Sequence, residues 1–308
     1  MKKIISQGGL AALMLILPLV LSSTVLAENK PKPRIVSLHP AHTEVLLRLG
    51  ARDNLVGISK HETYKGPETE GWKKPPAFGL KDDVSKFLKV KPGLVLVLPI
   101  QEAAGKELLS ELEEAGIKVR SLHVIKAGDL YQYWRDMGAL VGRSDEAEKM
   151  VADFNAAISK YYEAAQARPE AEKPGVFLES FHSQVKTFVP GSLPVWLLEL
   201  AGGKNVAGDA KTDSPNLIVA DYGPERLAKK AGQTDILISI ESPWNKTSMQ
   251  KTKERRSYRK LKAAQKGKFY KIPVELVTHP TPSLLQGLEK MAAITGLKAD
   301  EAGLEAAE

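Results

Sequence analysis

Short apolar runs alternate along the chain with longer stretches in which apolar residues return every three or four positions. The first spacing suits strands buried on both faces, and the second suits helices that cover them. In the first half the pattern predicts strands at Arg34–Leu38, Leu55–Ile58, Leu94–Leu98 and Val119–Leu122, with helices near His42–Leu49, Ala104–Ala115 and Ala127–Val141. The second half repeats the scheme. Strands are predicted at Gly175–Glu179, Ile236–Ile240 and Phe269–Ile272, and helices at Val195–Ala201, Glu225–Ala231 and Ser283–Ile294. Strand and helix in alternation indicate an α/β fold: two lobes, each with a central, mostly parallel sheet flanked by helices.

Between the halves, Ala147, Met150, Val151, Phe154, Ala157, Ile158 and Tyr161 recur at helical spacing. One long amphipathic helix is expected over 144–166, with Ser144 as its N-cap and Asp145 and Glu146 in the first turn. At 1.5 Å per residue it would run roughly 35 Å, enough to cross a lobe and restrict hinge opening. An ordinary surface helix is the plainer alternative. The expected organisation is a leader at 1–27, a first lobe at 28–142, the connecting helix at 143–168, a second lobe at 169–298 and a polar tail at 299–308.

The leader follows from Lys2 and Lys3, an uncharged apolar stretch from Gly9 to Leu21, and small residues before a cut after Ala27. Its apolar core falls short of the roughly 20 residues of a bilayer anchor. Export is therefore expected, and the periplasm is the expected compartment. The sequence has no cysteine, which leaves no disulfide, thiolate metal site or lipid-bearing cysteine. The formal charge is +7, or +5 without the two leader lysines, spread among nearly as many acids. A dense basic run at 246–268 reads as a solvated face, with capture of an anionic ligand as a weaker alternative. Nucleic acid is not an expected partner of an exported chain.

The residues 34–59, RIVSLHPAHTEVLLRLGARDNLVGIS, resemble the opening of the class III periplasmic binding proteins of ABC importers for iron-siderophores, haem and cobalamin. Further segments match in order. They are VSKFLKVKPGLVLV at 84–97, with Gly93 where the family usually has Asp, the leucine-to-Gly-Ile element at 111–122, VWLLELAGGKNVA at 195–207, and GKFYKIP at 267–273. The resemblance implies two lobes joined by one long helix, as the periodicity had already indicated. It also implies a monomeric binding protein rather than an enzyme, delivering its ligand to a permease and its ATPase in the inner membrane. Docking acids are implied at Asp83 and Glu225, with Asp82 and Glu199 as competitors.

In such sheets a ligand sits beyond the carboxyl ends of the strands. The candidates there are His39, His61, Tyr64, Gln101, Phe181, His182, Trp244 and His279, with Trp72 as a further aromatic. Five of the six histidines fall just past a predicted strand. Imidazole is the commonest transition-metal ligand, so His39, His61, His182 and His279 form a candidate set around a metal. Tyr64 could add a phenolate. A lone histidine beside a strand is more often a hydrogen-bonded loop residue, and on that ground His42 is expected beside the first helical turn and His123 at the sheet edge. No intrinsic cofactor is expected; the ligand itself would carry iron or cobalt. Prolines at 40, 190, 243, 280 and 282 would stiffen the rim. The alternatives are a bare-metal or oxyanion binder, a partner of a sensor, and an exported metal-dependent hydrolase, for which no HExxH, GxSxG or glycine-rich phosphate loop is present.

Overall fold

Two separate sheets organise the computed structural model, which describes residues 32–298. The expected leader and polar tail lie outside the described residues. The first sheet is formed by β1 (Ile35–Ser37), β2 (Leu55–Ser59), β3 (Ala77–Phe78), β4 (Leu94–Val97) and β5 (Lys118–Ser121). Its order is β3-β2-β1-β4-β5 and every pairing is parallel. Around it lie α1 (Pro40–Arg48), α2 (Val84–Lys89), α3 (Pro99–Ala104), α4 (Lys106–Glu114) and α5 (Leu130–Val141). The helix predicted at 104–115 is α4; the short α3 before it was not predicted, and the two are separated at Gly105, where a Cβ would lie 2.7 Å from the Leu80 side chain.

The connecting helix is α6 (Ser144–Ala167), and its buried stripe is Ala147, Val151, Phe154, Ile158, Tyr161 and Ala165. Ser144 is its first helical residue and not its cap. Arg143 takes that place without a side-chain cap bond, because α5 turns into α6 through left-handed Gly142. The two helices approach so closely at Gly138 that a Cβ there would lie 2.6 Å from Cβ of Ala147.

The second sheet contains β6 (Gly175–Phe181), β7 (Lys186–Phe188), β8 (Lys204–Asn205), β9 (Val219–Asp221), β10 (Ile236–Glu241) and β11 (Phe269–Pro273). Its order is β11-β10-β6-β7-β9, with β8 beside β6; β7 runs antiparallel to its neighbours. The helices of this half are α7 (Leu193–Leu200), α8 (Pro224–Lys229), α9 (Met249–Glu254), α10 (Lys262–Gln265), α11 (Glu275–Thr278) and α12 (Leu284–Thr295). No described helix is long and apolar enough to cross a membrane.

Alternation along the strands divides the apolar side chains into layers. Val36, Val95 and Val97 face Phe78, Phe87 and Leu112 on one side of the first sheet. Ile35, Leu94 and Leu96 face the other way, into a core that also holds Trp134 of α5, Phe154 of α6, Val176 and Ile238 of the second sheet, and Leu288 of α12. That core is continuous between the sheets. Hydrogen bonds join the same two halves: Trp134 Nε1 donates to the Pro280 carbonyl at 2.8 Å, and Ala127 N donates to the Gly191 carbonyl at 2.9 Å.

Candidate functional site

The turn after β1 carries His39, which caps α1. Its Nδ1 accepts the Ala41 N–H at 3.2 Å, ahead of Pro40 at the first helical position, where no N–H is needed. A backbone N–H can only donate, so the neutral His39 ring keeps its proton on Nε2. One turn on, His42 is fully buried between Tyr133 and β4. The Val97 carbonyl can only accept, so His42 Nε2 donates to it at 3.3 Å and Nδ1 accepts from the Tyr133 hydroxyl at 2.8 Å. Neither His42 nitrogen is left for a ligand.

From the other lobe His279, at the end of α11, brings its ring to 4.9 Å from that of His39, edge to face. Neither nitrogen of His279 is hydrogen-bonded among the described residues. His123, just beyond β5, completes a group of four. Burial lowers the pKa of every member. His42 and His279 are held at about 4, and His39 is pushed well below its ordinary value by burial and then by its neighbours His279, His42 and His123. At neutral pH the group is uncharged.

The rings of His39, His123 and His279 border a cavity of about 470 Å³ at the carboxyl ends of strands from both sheets, where open α/β sheets bind ligands. The first lobe contributes His39, Leu98, Ile100 and His123. The second contributes Phe181, Phe188, Ile218, Val219, Ile240, Trp244 and Val274 as apolar wall, with Ser180, Gln184, Lys186, Ser242, Thr278 and His279 among them. Ile100 is 72% exposed and Trp244 65%, large apolar side chains that a folded chain usually covers. Ser180 Oγ and His123 Nδ1 are buried without a protein partner among the described residues. Such atoms on a cavity wall are available to a bound molecule.

Of the residues expected at the site, His39, Phe181, Trp244 and His279 line this cavity. The other four do not. His61 lies in the exposed turn after β2, with its backbone N–H on Ser59 Oγ at 3.0 Å. Tyr64 borders a second hollow of about 280 Å³ with Glu44, Arg48 and Ser283, and its hydroxyl donates to Glu68. Burial and the Glu68 carboxylate both push the Tyr64 pKa up, away from phenolate formation. Gln101 caps α3, accepting from Leu98 N at 2.9 Å and donating to the Leu38 carbonyl at 2.8 Å. His182 turns back into its own lobe, Nδ1 to Glu179 Oε1 at 3.0 Å, and the Tyr258 hydroxyl donates to the same oxygen.

The metal set of His39, His61, His182 and His279 is therefore not assembled. No three His, Cys, Asp or Glu side chains among the described residues are arranged to hold a metal ion. His42 packs beside the first turn of α1 as expected and does not line the cavity, whereas His123, expected at the sheet edge, lines it together with His39. Trp72 packs against the core rather than the cavity. Ser180 and Lys186 were missed. Ser180 lies past the predicted end of its strand, and Lys186 lies in a strand too short to show a pattern.

Asp83 and Glu225 are both exposed, at the N-termini of α2 and α8. Of their competitors, Asp82 is engaged by Lys60 and Lys86, while Glu199 is also exposed, with its pKa raised by partial burial.

The family model for periplasmic binding proteins matches residues 35–276, well over half of the chain. The uncharacterized ABC transporter substrate-binding lipoprotein YvrC of Bacillus subtilis is 23% identical over 272 residues, covering 87% of this chain and 81% of the relative. The vitamin B12-binding protein of Vibrio cholerae is 20% identical over 281 residues, 89% of this chain and 92% of that one. Among solved structures, a possible iron-binding (periplasmic solute-binding) protein from Staphylococcus epidermidis aligns with a TM-score of 0.73 at 24% identity, over 86% of this chain and 99% of that chain. That likeness is one of fold. The named sequence relatives are binding proteins, not enzymes. This chain belongs to the periplasmic binding protein family.

Proposed function

We propose that the protein is the exported ligand-capturing component of an ABC importer, and that its cavity takes a small metal chelate such as an iron-siderophore, haem or a cobalamin. The observation that carries this is the cavity shared by two lobes, whose largely apolar wall is interrupted by hydroxyl, imidazole and amide groups and has two large apolar side chains exposed at its edge. A relative that is a vitamin B12-binding protein and a structural neighbour described as a possible iron-binding protein support a metal-bearing cargo. His279, with neither ring nitrogen hydrogen-bonded among the described residues, is the group assigned to the metal of the chelate and His123 is its alternate, since His39 and His42 spend their lone pairs inside the protein. A bare metal ion would need several protein ligands, and the described residues offer no such group.

Native mass spectrometry of protein taken untreated from its compartment weighs the cargo directly. Titration with haemin and with cyanocobalamin, followed in the visible spectrum, is the complementary test. At least one is expected to bind, and His279→Ala is expected to weaken it about tenfold, roughly the 1.4 kcal/mol of one modest contact. Equal affinity in variant and parent would reject the metal contact, and no chelate in either experiment would reject the ligand class. Asp83 and Glu225 are proposed to meet the permease. Reversing both charges should abolish uptake while leaving ligand affinity unchanged, and unimpaired uptake would refute their role.

A further inference from the structure

No residue lining the 470 Å³ cavity is Asp or Glu, and one, Lys186, is a permanent cation. Lys186 Nζ lies 3.1 Å from Asp221 Oδ1, but that carboxylate is 80% exposed, and so well-hydrated a pair yields readily to a better-placed anion. The remaining polar wall is rich in donors. His39 keeps a hydrogen on Nε2 because its cap bond occupies Nδ1, and the Ser180 hydroxyl has no protein partner among the described residues.

A second observation lies outside. Two residues beyond Trp244 the chain enters a stretch in which Lys246, Lys251, Lys253, Arg256, Arg259 and Lys260 are exposed, none of them paired with a carboxylate among the described residues. Their neighbour Arg255 donates to the carbonyls of His182 and Ser183, just after the cavity residue Phe181, which fixes this basic flank beside the site.

The geometry points to an anionic cargo: an apolar body bearing at least one carboxylate, drawn in by the basic flank and seated by Lys186 and the Nε2–H of His39. This rests on the cavity being the ligand site and deepens that reading by naming the charge. A carboxylate between an ammonium and a fixed N–H forms charge-assisted hydrogen bonds, which are roughly twice as strong as neutral ones. A one-sign field beside a cleft raises the association rate of an opposite charge, by an amount that salt reduces.

Three probes separate charge from metal: metal-free protoporphyrin IX and haemin, each with two carboxylates, and cyanocobalamin, with no free carboxylate. Stopped-flow quenching of tryptophan fluorescence gives both rate constants. Both porphyrins are expected to bind. Lys186→Gln should weaken protoporphyrin IX about tenfold through faster release, and Lys186→Arg should restore most of the loss, with thermal melting unchanged in both. The triple variant Lys251→Glu, Lys253→Glu, Arg256→Glu should slow association about tenfold at low salt and leave release alone. Cyanocobalamin bound in preference to either porphyrin, or porphyrin affinity indifferent to Lys186→Gln, overturns the anionic cargo while leaving a chelate site intact. Protoporphyrin IX bound as tightly as haemin supports the anionic cargo and removes the metal contact. Retention on phosphatidylglycerol vesicles, with unchanged association in the triple variant, assigns the flank to a membrane and overturns its part in capture.

Discussion

At His39 the helix and the cargo compete for one imidazole, and the helix holds the lone pair that a metal would need. Asn caps helices as well as Asp or Ser does, so His39→Asn should keep the fold within roughly 0.5 kcal/mol, whereas His39→Ala should cost about 1 kcal/mol, both read from urea midpoints. If Ala is as stable as Asn, the cap is unimportant. His42 makes the residue scale sensitive to pH. Its folded pKa of about 4 lies below the ordinary 6.5, so above pH 6.5 both states are neutral and stability is full. Between pH 6.5 and 4 the unfolded chain takes up a proton that the folded one refuses, and stability falls by up to about 1.4 kcal/mol per pH unit, on the order of 3 kcal/mol in all. Denaturant midpoints measured from pH 7 to 4 should decline accordingly, with a shallower slope in His42→Gln; an identical slope in that variant would place the effect elsewhere. The sequence showed that histidines gather at strand ends. It could not show which way each turn faces or which lone pair is already engaged, and that is why His61 and His182 were chosen over His123.

The hairpin between β6 and β7 is the element that presents Gln184 and Lys186 to the cavity. Its turn holds Val185, fully buried, at φ +52°, a conformation in which a β-branched side chain is strained by about 1–3 kcal/mol. The Val185 carbonyl accepts from Tyr222 N and Gly223 N at 3.3 and 3.1 Å, and Arg255 holds the His182 carbonyl at the opposite end of the turn. Arg255→Ala should therefore raise amide exchange at 182–186 about tenfold without changing the rest of the protein, as hydrogen-exchange mass spectrometry would read. Unchanged protection would mean that Arg255 does not hold the turn. Parallel strands and α6 were legible because their apolar periods run long enough to be distinguished. The hairpin was not: Lys186–Phe188 is too short to alternate, and a buried valine carries no turn signal.

Across the whole molecule, the ordered motifs and the repeated α/β scheme were enough to anticipate the fold, because they reflect burial that any such chain must satisfy. How the halves meet was not legible, since Trp134 and the Pro280 carbonyl lie far apart in sequence and join only by folding. Trp134→Phe keeps the ring in its place beside Phe154 and strips the Pro280 oxygen of its donor, for an expected loss of about 1–3 kcal/mol in denaturant unfolding. A loss under about 0.5 kcal/mol would show that another group satisfies that oxygen.

The core shared by both sheets also bears on how the protein comes apart. With Ile35 and Val176 belonging to the same apolar mass, melting either half bares the flank of the other. Heating should accordingly give one calorimetric peak rather than two, and a chain severed after α6 should yield fragments that survive only by reassociating. Cargo gripped at the seam would then raise the melting temperature of the entire polypeptide, even though it touches only a handful of side chains.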